Sequence, residues 1–401
     1  MKHKKDFKKD NLYFDKKYCC DFRNAINSSP IFENDPKYLS QYNLCCAVMD
    51  RLDTCIAKLN KYGDIPDSEE DFLVFMMFAC MVYDAVKQLL SVLNIPEQNS
   101  EREYFKLIYE KSRIFNPEAE APTDDKFFEY IRSLIFAHPF GTGRPKFLHK
   151  DEVQYSPWVI VNGISSVFSG VKNAVGARIY SNQSEEIIDL EFPFDILKQF
   201  ICFKYEQLEL ATKWVEEQVA NAENNWRMFK VNQDQSPVEI LIEIDKILTS
   251  RYETCYSIRD FIKYMSCSLS DLRNISAVET FRAEIVGRIP ELCMSVDNLD
   301  YESVEKICST ITRRPSQMHK MAHYQLEKIF DYLGDKTSLT ENNDAESWGL
   351  TQADDFSKEF ARKWVYIDVK TMPYLEIKLL VRVACYLESM LQEHAYPERR
   401  K

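Results

Sequence analysis

The sequence predicts a mainly α protein, with an N-terminal helical bundle, a small β-hairpin or three-stranded insertion, and a C-terminal helical region. Three observations carry this expectation. Only 9 of the 401 residues are Gly; glycine supplies the positive φ that tight turns and hairpins need, so a fold built mostly from hairpins is excluded. Apolar residues recur every three or four positions over most of the chain, the period of one helix face. Helix-start signatures stand ahead of those stretches, as in Ser68-Glu69-Glu70-Asp71 and Thr123-Asp124-Asp125. In each, a hydroxyl able to cap free amides is followed by acids suited to the positive helix N-terminus.

Residues 1–35 are polar and read as a loosely held arm. From 36 to 140 the spacing predicts four helices. The first runs from Pro36 to about Tyr62 and is stopped by Gly63, and the second runs from Ser68 to about Leu93. The third covers roughly Ser100–Phe115, and the fourth runs from Thr123 to about His138, where Pro139 ends it. Four helices joined by short connections read as a four-helix bundle, and the second, apolar nearly all round, reads as its buried member. Residues 141–193 change texture. Trp158–Val161, Val175–Tyr180 and Glu186–Phe192 are β-like, the last two separated by Ser181-Asn182-Gln183-Ser184 at hairpin spacing. The region 194–401 reads as helical: one long helix from Phe194 to about Phe229, then 237–254, 257–267, 277–287, 300–312, 317–333 and 372–394. Asp335–Glu346 reads as an exposed loop.

Composition narrows the function. Neither GxGxxG nor GxxxxGK[ST] occurs, so dinucleotide and P-loop sites are excluded and no cofactor is expected. The 12 Cys include no CxxC pair and no zinc-type Cys/His spacing; they read as reduced, buried thiols of a cytoplasmic protein. The basic start Met1-Lys2-His3-Lys4-Lys5 has no apolar core behind it, and the apolar run Phe72–Tyr83 is short for a bilayer. Neither a signal peptide nor a membrane partner is expected. A net charge of −12 argues against a broadly basic nucleic-acid coat. His319 and His323 are four apart and could share a helix face, but HExxH is absent, so no metal is assigned.

One short constellation could carry chemistry. Five residues separate Arg132 from His138 at the end of the fourth predicted helix. On a continuous α-helix they would lie about 240° apart, so the last turn would have to unwind to bring them together. The same kind of spacing joins Arg144 to His149, and Arg313 and Arg314 to His319, but those pairs flank Pro145 or Pro315. Only Arg132 and His138 have apolar filler between them on a bundle helix. From Tyr130 to Lys150 there is no acid, and Arg132, Arg144, Lys146 and Lys150 give the window a charge of +4. An Arg that clamps phosphate, a His that moves a proton, and surrounding cations are what metal-free RNA cleavage through the 2′-hydroxyl needs.

Over residues 36–140 the chain resembles the HEPN superfamily, helical bundles with an Arg-x(4–6)-His motif, many of them metal-independent ribonucleases of toxin–antitoxin, abortive-infection and CRISPR systems. The resemblance implies that Arg132 binds the scissile phosphate and that His138 is the general acid/base. It also implies that two copies face each other to form one site, in a cytoplasmic defence or toxin-type effector acting on RNA. Ser133 follows the Arg where Asn or another polar residue is common. Ser133, Arg144, Lys146 and Lys150 are the accompanying phosphate-binding candidates. The alternative is a non-enzymatic helical interaction or scaffold protein, in which Arg132 pairs with a carboxylate such as Asp84 and His138 only caps a helix.

Overall fold

A computed structural model describes residues 13–62, 65–112, 114–143, 145–165, 171–334 and 344–395. The molecule is mainly α with one small antiparallel sheet, and it divides into two compact units, Met1–Ala220 and Asn221–Lys401.

The first unit opens differently from the expected loose arm. Residues 1–12 lie outside the described residues, but Lys17–Asn27 is a helix, α1, and Pro30–Asn34 a short second one, α2. Their polar composition hides an apolar stripe: Cys19, Phe22 and Ile26, three and four apart, are buried, as are Phe14, Ile31 and Phe32. Ser29 caps α2, accepting from the Ile31 amide.

Helix α3 (Leu39–Leu59) packs on α4 (Glu69–Val92), which Ser68 caps as its sequence implies, accepting from the Asp71 amide. Gly63, the expected stop, lies outside the described residues. Helix α4 is 24 residues long and apolar enough for a bilayer by length and composition, and half of its most apolar window is buried inside the protein. The third expected helix shrinks to α5 (Lys106–Lys111). Upstream of it, the buried Asp124 carboxylate takes the amides of Glu103, Tyr104 and Phe105 and the Ser100 hydroxyl, holding 100–105 as a turn. Helix α6 (Asp124–Arg132), capped by Thr123, continues into one π-helical turn, Ser133–Ala137.

The insertion is a four-stranded antiparallel sheet: β1 (Gln154–Tyr155), β2 (Val159–Ser165), β3 (Val171–Ser181) and β4 (Ser184–Pro193). β3 is central and pairs with the other three; its Ser181 opposes Ser184 across the two-residue turn Asn182-Gln183, where the sequence placed a hairpin. Asn162 and Asn173 hold positive φ (59° and 74°) beside the register shifts of β2 against β3, a conformation Asn tolerates. Gly176 is required by packing, because a Cβ there would lie 1.8 Å from the Leu190 carbonyl oxygen of β4.

The single long helix expected from 194 is two, α7 (Phe194–Glu206) and α8 (Leu208–Arg227). They part at Gln207, whose side chain bonds both the amide and the carbonyl of Gln98 at 2.9 Å. Helix α7 belongs to the first unit rather than to a separate C-terminal region, since it packs on α4. Its Lys204, 2% exposed, lies 2.6 Å from both Glu97 and Asp125. Phe200 of α7 joins Phe105, Phe115, Phe127, Phe128, Tyr130 and Phe147 in an interlocked aromatic core.

The second unit holds α9 (Pro237–Ser250), α10 (Tyr256–Ser266), α11 (Ile275–Asp297), α12 (Tyr301–Ile311), α13 (Ala322–Tyr332), α14 (Asp344–Glu359) and α15 (Tyr374–Ala395) around one apolar core. α11 runs ten residues beyond the expected end at 287, straight through Pro290, because Ile289, Leu292, Cys293 and Val296 continue its buried face. α13 starts later than the expected 317, since Ser316 and Gln317 are tied to Gln392 of α15. Residues 335–343 of the expected loop lie outside the described residues, whereas Asp344–Glu346 already belong to α14, an element the sequence reading left out. Arg251, 1% exposed, donates to the carbonyls of Val296, Trp226 and Phe229 and so closes the ends of three segments.

Candidate functional site

The end of α6 borders a cavity of about 900 Å³. Arg132, Ser133 and His138 line it, together with Arg102, Lys126 and Lys146. Five cationic or imidazole side chains thus face one space against two carboxylates, Glu120 and Glu129.

The local fold explains how Arg132 and His138 reach the same space. The π-helical turn replaces the last α-turn, the His138 amide donating to the Ser133 carbonyl at 2.8 Å. His138 then leaves the helix with φ −142° and ψ 54°. This is the unwinding that the spacing demanded, and π-turns of this kind are frequent at functional sites. The backbone of His138 does the capping. Its exposed ring has no hydrogen-bond partner among the described residues.

Arg132 is ion-paired with Asp84 of α4, at 3.0 Å. The two side chains are 33% and 46% exposed, so the pair is screened by water and worth about 0–1 kcal/mol. The guanidinium keeps donors unused by this contact, since it carries five N–H groups.

The accompanying candidates separate. Lys146 lines the cavity, placed by the neighbouring Phe147, whose ring is buried in the aromatic core. Ser133 lines it too, but its hydroxyl is engaged: Thr142 Oγ1 donates to the His138 carbonyl at 3.1 Å, so Ser133 Oγ, 2.8 Å away, donates to Thr142. A phosphate oxygen would have to compete with Thr142 for the Ser133 proton. Lys150 is exposed but lies outside the cavity lining, on the segment gripped by the hairpin turn; its carbonyl accepts from Gln183 Nε2 at 2.6 Å. Arg144 lies outside the described residues.

The segment after His138 is fastened at several points. Thr142 and Gln154 exchange backbone hydrogen bonds, and the Ser156 amide donates to the Pro139 carbonyl at 2.7 Å. The buried Glu152 carboxylate accepts from the His149 amide, Gln154 Nε2 and Ser181 Oγ. Tyr130 also borders the cavity, but its hydroxyl donates to Gln154 Oε1 at 2.6 Å. Burial and the Glu152 charge push the Tyr130 phenol well above its ordinary range, which removes it as an acid at neutral pH.

Arg102, Lys126, Glu120 and Glu129 were not expected at the site. Lys126 was legible: it lies three, four and seven residues before Glu129, Tyr130 and Ser133, on one helix face. Arg102 had no local signal; it is brought in by a bond from its Nε to the Ala121 carbonyl (2.7 Å) and by pairing with Glu120, which holds that carboxyl below its usual range.

The His319/His323 pair does not form a common face. His319 precedes α13, which begins at Ala322, and its Nδ1 lies 3.1 Å from Glu359. No cluster of three metal-ligating side chains occurs among the described residues. Compared with known family models, curated proteins and solved structures, the chain has no match.

Proposed function

We propose that the cavity at the end of α6 binds the phosphate backbone of RNA and that the protein cuts it there without a metal. The observation that carries this reading is the convergence of Arg132, His138, Lys126, Lys146 and Arg102 on one space of about 900 Å³. Arg132 would hold two oxygens of the scissile phosphate through its free N–H groups, with the lysines balancing the flanking phosphates. His138, exposed and without a side-chain partner among the described residues, would take the proton of the 2′-hydroxyl as that oxygen attacks phosphorus. The 5′-oxygen leaves with a proton from a second imidazole, and the resemblance to HEPN proteins suggests a second copy of this chain as its source. A cytoplasmic effector of defence or toxin type is the setting that goes with this chemistry.

The Arg132–Asp84 pair favours a second reading, a non-enzymatic interaction protein in which the arginine is structural. Short RNA incubated in EDTA separates the two. The nuclease reading expects products ending in a 2′,3′-cyclic phosphate, lost in a folded His138→Ala variant. Identical cutting by wild type and variant, or none by either, would refute it.

A further inference from the structure

Outside that site, one pair of nucleophilic side chains stands apart from the other thiols. Cys255 is the residue at the N-terminal cap of α10, and Cys308 lies in the last turn of α12; their sulfurs share a hydrogen bond at 3.7 Å. Cys255 is half-buried and Cys308 is 2% exposed. Tyr256 and Ser257 begin α10, so Cys255 stands at the positive end of that helix, and the Ile258 amide donates to the Cys255 carbonyl at 3.1 Å. Helix-start amides favour the thiolate over the thiol.

We propose that Cys255 and Cys308 are a reversible peroxide-oxidised pair, Cys255 being the attacking sulfur and Cys308 the resolving one. The Cys255 thiolate attacks the outer oxygen of a hydroperoxide. The S–O bond forms, the O–O bond breaks, and the departing alkoxide takes a proton from water and leaves as an alcohol. Cys308 sulfur then attacks the sulfur of the resulting sulfenic acid. The S–S bond forms, the S–O bond breaks, and the hydroxide leaves as water with the Cys308 proton. Two thiols lose two electrons and one hydroperoxide gains them. The sulfurs must approach by about 1.7 Å to reach disulfide length. The neighbouring Tyr256 is 74% exposed, so its ring is not packed against the protein where α10 would have to shift.

The charge environment agrees with this order of events. The hydrogen bond with Cys308 brings the Cys255 thiol below its ordinary range, against the opposing effects of burial and Glu305. Cys308 is pushed up by the same hydrogen bond and by burial, so it keeps its proton until it resolves the sulfenic acid. Elsewhere burial is the main cause that lifts Cys45, Cys80, Cys202 and Cys385 to about 12. Those thiols are inert packing.

The test uses the full chain and hydrogen peroxide as the oxidant, followed by maleimide blocking, proteolysis and mass spectrometry. The expected result is a peptide pair joined through Cys255 and Cys308, abolished by dithiothreitol. In Cys308→Ser, dimedone should instead trap Cys255 as a sulfenic acid. The proposal is overturned if both thiols of the wild type stay free at doses that oxidise the exposed Cys20. It is equally overturned if wild-type Cys255 is trapped by dimedone without any link to Cys308. Because the decisive readout is made on the unsubstituted protein, a misfolded variant cannot obscure it.

Discussion

The chain contains Arg-x5-His twice in unrelated settings, and the two copies behave differently. Arg132 and His138 end a helix by way of a π-turn and line one cavity. Arg313 and His319 have the same spacing, but the chain between them contains Pro315 and turns back toward α15. Arg313 there pairs with Glu393 and rests over Tyr386, while His319 pairs with Glu359 of α14. Of that second pair, His319 lines a smaller hollow of about 410 Å³ that also holds Glu359 and Glu388. Identical spacing therefore gives a convergent, mostly cationic pair in one place and two separate ion pairs in the other. What differs is where the backbone goes after the arginine.

The largest effect should come from the imidazoles. His138→Ala is expected to lower RNA cleavage about 100-fold or more, the range typical of losing a general acid/base. His319→Ala should leave cleavage within about twofold by the same reasoning. If both variants lose activity alike, the comparison is broken. Next come the arginines. Arg132→Ala should weaken RNA binding about tenfold, as expected for a charged hydrogen-bond donor to phosphate. Arg313→Ala should spare binding but lower unfolding free energy by about 1–2 kcal/mol, because it strips packing from Tyr386 and removes the ion pair with Glu393. Chemical denaturation and filter binding on both variants decide this.

Asp84→Asn sharpens the point further. Releasing Arg132 from a half-exposed partner should raise RNA affinity about two- to fivefold at low salt, with thermal stability nearly unchanged. A drop in affinity would mean that Asp84 positions the arginine for its ligand. The smallest effect is electrostatic. Lys146→Ala should reduce the slope of log affinity against log salt by about 0.7, the value for one contact to a single strand. An equal change from Lys150→Ala would mean that the bound strand extends beyond the cavity.

Much of the architecture was legible because it rests on local chemistry. The Ser68 and Thr123 caps, the long apolar helix α4 and the two-residue turn at Asn182-Gln183 lie where composition and spacing put them. What was not legible depends on partners distant in sequence. Gln207 breaks a helix whose local pattern is continuous, because Gln98 claims its amide group. Asp124 looks like an ordinary first-turn acid, yet it also ends the reach of α5 by binding three amides some twenty residues upstream. At the site, the Arg132/His138 pair and Lys146 were visible, as was the competing partner Asp84. The engagement of the Ser133 hydroxyl was not, since it requires Thr142 to fold back onto the helix end.

The hairpin turn has an importance beyond closing a sheet. Asn182 accepts from the Val153 amide and donates to the Asp151 carbonyl, and Gln183 donates to the Lys150 carbonyl. At the segment's other end, the Phe147 carbonyl accepts from the Asn116 amide. The stretch bearing Lys146 is therefore ordered as the protein folds, before any ligand arrives. A ligand that meets Lys146 has no loop to immobilise, so its binding free energy is not spent on ordering the chain. Loosening the turn should weaken an anion's grip from across the sheet, with every contacting residue still in place.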